Sequence, residues 1–190
     1  MPIIDILWQN EEIRTLAPIW KAGLDVLFVG LNPSIPSVEA GHYHQGKLGK
    51  RFWKRLRSIG LLQGAQPGLE DEALLERNFG VTDLVPRPSA RANEVTEEEF
   101  QLGKQFVLYQ ISEGKPRIVC FIYKKALEVL VGGAIPTEGG LIESEDEAWR
   151  SIFGGSRVFL FPGPYAQAET EKKILDMFKR LVGEVRGDRD

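Results

Sequence analysis

"VLFVGLNPS", Val26 to Ser34, decides the fold. The unbroken apolar run predicts a strand covered on both faces, spanning Leu24–Leu31 at its widest. Asn32-Pro33 predicts its abrupt end and the start of a loop. Directly after it come both histidines of the chain, in "GHYH", and then "KLGKRFWKRLR". Polar chemistry and concentrated positive charge therefore follow one buried strand without a break.

Outward from that strand, three more apolar runs repeat the pattern: Phe79–Val85, Pro116–Tyr123 and Arg157–Phe161. Between them lie segments of helical spacing. "KRFWKRLRSIGLL" sets Phe52, Trp53, Leu56 and Ile59 on one face and its cations on the other. Thr96 followed by Glu97, Glu98 and Glu99 suits the start of another helix. "KKALEVLVG" and "AETEKKILDMFKRLVG" supply two more, "EALLERN" a short one, and "EEIRTLAPIW" also reads as helical. "GAIPTEGGLIESEDEAW" reads as a polar, glycine-rich excursion. Continuous apolar strands alternating with helices predict a parallel sheet sandwiched between helical layers, an α/β class. Ligands of such sheets bind beyond the carboxyl ends of the strands, which places Gly30–Ser34, Thr82 with Asp83, Tyr123–Lys125 and Phe161–Tyr165 on one edge.

The 190 residues and 43% hydrophobic content fit one domain, 1–190, with a tail from about residue 183 expected to be flexible. The formal net charge is −3, yet residues 47–57 hold Lys47, Lys50, Arg51, Lys54, Arg55 and Arg57 and no acid. Without those six, 18 basic residues face 27 acidic ones, a balance of −9. Such focusing suits a local phosphate-binding face, although a solvated helix face has the same composition. The single cysteine, Cys120, sits in "IVCFIY" and is expected in the core. Neither a cysteine-held cluster nor a structural zinc has enough ligands, and His42 with His44 lacks a third. No cofactor or metal is expected. The amino-terminal residues lack the basic start of a secretory signal, and no run reaches membrane-spanning length. A cytoplasmic setting is the expectation.

The edge predicted for the ligand carries an amide, Asn32, and a carboxylate, Asp83. Asn32 can hold a water or read a base edge, or simply close a turn before Pro33. Asp83 can orient a nucleophilic water or stabilise a cation, or else make a salt bridge. No Gly-x-Ser-x-Gly elbow, phosphate-binding glycine loop or dinucleotide fingerprint is present. An amide, a carboxylate, stackable rings and nearby cations suit the cleavage of a bond whose transition state is a carbocation, as in glycosidic cleavage of a nucleotide. In a duplex that nucleotide must first be flipped out.

"GLNPS", "GHYH…GKRFWKRL", "FGVTDLVPRPSARANEV" and "KPRIVCFIYKKALE" together, in this order, resemble the mismatch-specific uracil/thymine DNA glycosylases of the uracil-DNA glycosylase superfamily. The resemblance runs from about Leu24 to Leu181. It implies a three-layer α/β/α sandwich around a four-stranded, mostly parallel sheet, without cofactor, acting as a monomer on double-stranded DNA that contains uracil or a mismatched or damaged base. It implies localisation at the nucleoid. Asn32 falls at the family's water-positioning asparagine. His44, or Tyr43 at one residue's shift, falls at the ring that stacks on the flipped base. Gly30, Leu31 and Ser34 would line the base pocket. Lys124 matches a lysine opening the helix after the third strand. Lys47, Lys50, Arg51 and Lys54 would lie near phosphates.

Two departures stand out. The second motif, "PGPYAQA", has Gly163 and Tyr165 where polar residues are usual; Ala166 follows, and Gln167 stands at the wedge. Asp83 stands where these enzymes more often carry Asn or Lys, so it is expected to share catalysis with Asn32. The leading expectation is a monofunctional glycosylase of base excision repair. A non-catalytic sensor of damaged or abasic DNA on the same fold is the alternative, and a nucleoside hydrolase a third.

Overall fold

The structure, a computed structural model, describes residues 3–187. The chain opens with a β-hairpin, not a helix. Strand β1, Ile3–Trp8, pairs antiparallel with β2, Glu11–Leu16. Gln9 and Asn10 both take positive φ (48° and 66°) in the connecting turn, the twist that two-residue hairpins favour. The i, i+3 spacing of Ile13 and Leu16 misleads; the alternating exposure of β1 shows the true period of two. Arg14 reaches across the ladder to Asp5 at 2.9 Å.

The central sheet holds β3 (Val26–Gly30), β4 (Phe79–Asp83), β5 (Ile118–Phe121), β6 (Gly140–Ile142) and β7 (Arg157–Leu160), in the order β4-β3-β5-β7-β6. Four strands are parallel, as their apolar runs predict. The fifth, β6, is an antiparallel edge strand beside β7. It arises within the glycine-rich excursion, to which the sequence assigns no strand: three residues are too few to show a period. The helices are α1 (Ile35–Ala40), α2 (Lys47–Ser58), α3 (Glu97–Gly114), α4 (Lys124–Val131), α5 (Glu147–Phe153) and α6 (Ala168–Gly187). "EALLERN" forms only two tight 3₁₀ turns. Helix α6 continues through Gly187; the remainder of the expected tail, residues 188–190, lies outside the described residues.

Alternation along β3 divides the interior into two cores. Phe28 faces Phe52, Phe79 and Phe178 on the side of α2 and α6. Leu27 and Val29 face Val107, Leu127 and Phe153 on the side of α3, α4 and α5. The result is a three-layer α/β/α sandwich with Cys120 buried in its centre. Parallel register then does the positioning, because Gly30 sits directly beside Asp83. The ladder continues past both strands: Leu84 donates to the Gly30 carbonyl at 3.1 Å and Val85 to that of Leu31 at 2.9 Å. Ser34 and Ser89 bridge beyond them, so the loops after β3 and β4 leave the sheet zipped together. Among the described residues no helix is long and apolar enough to cross a membrane.

Candidate active site

The two zipped loops enclose a pocket of about 360 Å³ at the carboxyl edge of the sheet. Asn32 and Asp83 both border it, together with Leu31, Ser34, Tyr43, His44 and Lys47. The structure therefore brings the predicted amide, carboxylate and rings to one cavity. Gly30, expected in the lining, does not border the cavity itself but lies behind Asp83, which covers it.

Asn32 is fixed through its nitrogen. Nδ2 donates to the Ser89 hydroxyl at 2.8 Å, the Arg87 carbonyl at 3.1 Å and the Pro33 carbonyl at 3.3 Å. Two carbonyl acceptors fix which end of the amide is nitrogen. The Ser89 hydroxyl spends its own proton on the Arg91 carbonyl, which leaves its lone pairs for Asn32. Oδ1 is thus left as an acceptor with a fixed direction. The Arg87 backbone is held in turn: its guanidinium pairs with Glu99 at 2.5 Å and 2.8 Å. Glu99, 1% exposed, also takes the Trp8 indole proton and the Thr96 amide in the α3 capping box. The Arg87 guanidinium, first among these partners, holds the Glu99 carboxyl at about 2, well below the usual range. Ser89, Arg87 and Glu99 escape sequence reasoning because nothing in "RPSARANEV" says which carbonyl the asparagine will meet.

Asp83 has the opposite character. It makes no salt bridge among the described residues, and its Oδ1 is shut off from solvent without a hydrogen-bond donor. Burial pushes its carboxyl up to about 7. The place exists because residue 30 is glycine: a Cβ there would stand 2.0 Å from Asp83 Oδ1 and 3.6 Å from His44 Cε1. The bare strand end thus makes room for a carboxylate that the register delivers from β4.

His44 packs edge-on against Phe52 and Trp53, with centroids 4.9 and 5.4 Å away. Its Nε2 is buried without a partner, and burial lowers its imidazole to about 4, so it is a neutral ring at working pH. It takes a left-handed backbone, φ 58°, held by α2: a Cβ on Gly49 would stand 2.5 Å from the His44 backbone. Tyr43 is 2% exposed but borders the same pocket, and its hydroxyl donates to the Ala17 carbonyl at 3.2 Å. Its carbonyl accepts from the Trp53 indole at 2.9 Å. His42 lies outside this cavity; its Nδ1 is 2.9 Å from buried Asp71, which also takes the Tyr43 amide. Leu16 of the hairpin and Tyr123 complete the wall. Tyr123 stands at the predicted edge as the end of the third apolar run, whereas Leu16 falls in the segment read as helical.

The cations divide into two sets. Lys47, Lys50 and Lys54 are exposed on one face of α2 and form no ion pair among the described residues. Arg57 pairs with Glu70 at 2.5 Å. Arg55, 6% exposed, donates to the Pro162 carbonyl at 2.8 Å and the Gly163 carbonyl at 2.9 Å, and pairs with Glu171. Arg51 donates to the Pro164 carbonyl at 2.6 Å and shares Glu171 at 3.1 Å. Two arginines thus clamp three consecutive carbonyls of the second-motif loop to α2, and Arg55 is an internal strut. Arg55, first, lowers the Glu171 carboxyl. Beyond the clamp, Tyr165 stands 85% exposed at the loop's crest, with Gln167 also exposed. Lys124, half-buried, is the first residue of α4.

Residues 18–184 match the family model described as "UDG: Uracil DNA glycosylase superfamily".

Proposed function

From the premise that the chain belongs to the uracil DNA glycosylase superfamily, and hence to the DNA glycosylases, we propose that it removes uracil, and related damaged or mismatched pyrimidines, from double-stranded DNA by base flipping and attack of water. The observation that carries the reading is the Asn32 amide. Its nitrogen is spent on three acceptors, so its oxygen presents one fixed acceptor to a pocket that it shares with a carboxylate.

A water held by Asn32 Oδ1 loses its proton to Asp83 as its oxygen bonds to the sugar C1′. The bond from C1′ to the base nitrogen breaks, and the electron pair leaves with the base. Backbone around Gly30, Leu31 and Ser34 lines the pocket in which that anion forms, and the neutral rings of His44 and Tyr43 form its wall. Until it takes that proton, the ionised Asp83 stabilises the positive charge developing on the sugar. Water is the nucleophile, so neither a lysine Schiff base nor strand cleavage forms part of the cycle.

The clamped loop carries Gly163, Tyr165, Ala166 and Gln167 toward the gap left by the base. An aromatic as exposed as Tyr165 supplies a face for stacking in place of the usual wedge. Lys47, Lys50 and Lys54 serve the phosphates of the strand, with Lys124 beyond the pocket and Arg51 restrained by its loop contacts. The protein acts as a monomer in this reading.

Incubation with a uracil-containing duplex followed by alkali is the test. Strand breaks at the uracil are expected. Retained binding to that duplex without breaks identifies a non-catalytic sensor, and release of base from free nucleosides alone identifies a nucleoside hydrolase. A panel of opposing bases then decides whether a mismatch is required.

A further inference from the structure

We propose that the protein has a second binding site, a back pocket beneath the amino-terminal hairpin that takes the free pyrimidine base released in the front cleft, held by its imide edge. This rests on the glycosylase reading above. The pocket has a volume of about 280 Å³ and lies between the hairpin, α3 and the end of β4. That is just below the about 300–1,000 Å³ of pockets for larger ligands, and suits a single ring. Trp8, Pro18, Pro86 and Phe106 give it flat, apolar walls. No lysine or arginine borders it, and its one charged residue is Asp83, so a nucleotide phosphate has no partner there.

Its polar groups point to the ligand's edge. The Thr15 hydroxyl is spent on the Pro86 carbonyl and the Trp8 indole on Glu99. Gln110, 6% exposed, also borders the pocket, and its Oε1 finds no donor among the described residues. A buried acceptor without a donor is a cost that a fold normally avoids. An imide N–H is the donor that it lacks. The adjacent imide carbonyl accepts from the amide nitrogen of the same side chain, after a turn about its last torsion where needed. A carboxamide and an imide are complementary in this two-bond way.

Position supplies the source. Leu16, Pro33, Tyr43 and Asp83 border both the front and the back pocket and form the partition between them. A base cut loose in front is confined between the protein and the abasic strand. The back pocket offers that base a second site on the far side of the partition.

The test uses the full chain and free uracil labelled with carbon-13, without DNA. Expected are nuclear Overhauser contacts from the uracil ring to the methyl groups of Ile4 and Ile6. Affinity should fall at least tenfold for N3-methyluracil and for the Gln110→Leu protein. In excision assays, added uracil should lower kcat of the wild type and act only competitively on Gln110→Leu. Contacts confined to the front cleft, or equal binding of N3-methyluracil, overturn the proposal. The methyl contacts need no variant, so a misfolded Gln110→Leu does not blunt the test. Finally, labelled uracil released from a duplex should give the same Ile4 and Ile6 contacts; their appearance with added base alone overturns the assignment to product. Intact uracil binding without excision would defeat the glycosylase reading instead, so the two failures are distinct.

Discussion

Asn32 and Asp83 stand at the ends of two neighbouring strands and border one cavity, but the fold treats them in opposite ways. Asn32 is pinned by three acceptors and backed by a chain of contacts through Arg87 to Glu99 and Trp8. Asp83 is left with an unsatisfied oxygen and a carboxyl raised to about 7. A pinned group contributes direction; an unpinned, desolvated one contributes reactivity. The same contrast recurs in α2, where Arg51 and Arg55 are bonded into the protein and three exposed lysines form no ion pair among the described residues.

The sharpest way to break the comparison is to remove each group in turn. Asp83→Asn should lower single-turnover excision of uracil from a duplex by about 10²–10⁴-fold, the range of general-base assistance. Asn32→Ala should cost a similar factor. If the two act on one water, the double variant should lose far less than the product of the single losses. In the wild type the excision rate should rise about tenfold per pH unit up to a midpoint near 7, as Asp83 ionises, and Asp83→Asn should flatten that limb. A wild-type rate for Asp83→Asn would remove the carboxylate from the mechanism.

The raised carboxyl has a stability counterpart. The folded state holds the Asp83 proton up to about 7, against about 3.9 in an unfolded chain. Its contribution is therefore full below about 4 and is lost as pH rises through 7. Denaturation of both proteins should show Asp83→Asn gaining on the wild type between pH 5 and pH 8, in the direction opposite to its activity. That opposition is what a group retained for chemistry predicts.

Gly30→Ala tests the room rather than the group. A methyl placed 2.0 Å from Oδ1 must push the carboxylate aside or shift the strand. A misplacement of about 1 Å costs about 10²-fold in rate. The diagnostic is a pair: Gly30→Ala should lower excision strongly in the wild type and scarcely further in Asp83→Asn.

Much of this site was legible in the sequence, and the illegible part has physical causes. The apolar runs that end at Gly30, Asp83, Phe121 and Leu160 fix four strands, and the carboxyl-edge rule then gathers Asn32, Asp83 and His44. The hairpin was misread because six residues from Glu11 to Leu16 fit either period and only the partner strand decides. Leu16, and with it the partition between the pockets, was lost with that misreading. The pinning of Asn32 was illegible since its acceptors are carbonyls, which every residue has. Residue type also hides whether an arginine looks outward or inward. Arg55 lies among the same cations as Lys54, and only the helix phase relative to the second-motif loop separates them.

Arg55→Met should lower stability by about 1.5–3 kcal/mol, the worth of hydrogen bonds to a charged group, because it leaves Glu171 and two carbonyls without their donor. Its effect on duplex excision should exceed that on single-stranded uracil, since the freed loop matters only where a gap must be filled. The free lysines should behave differently again, and their effects should be the smallest. Lys47→Gln, Lys50→Gln and Lys54→Gln should each leave the melting temperature unchanged and weaken duplex binding a fewfold, equally for all sequences. Each should reduce the slope of log K against log salt by about 0.9. An unchanged slope for all three would mean that this face of α2 never meets a phosphate, and the division between pinned arginines and free lysines would then describe solvation alone.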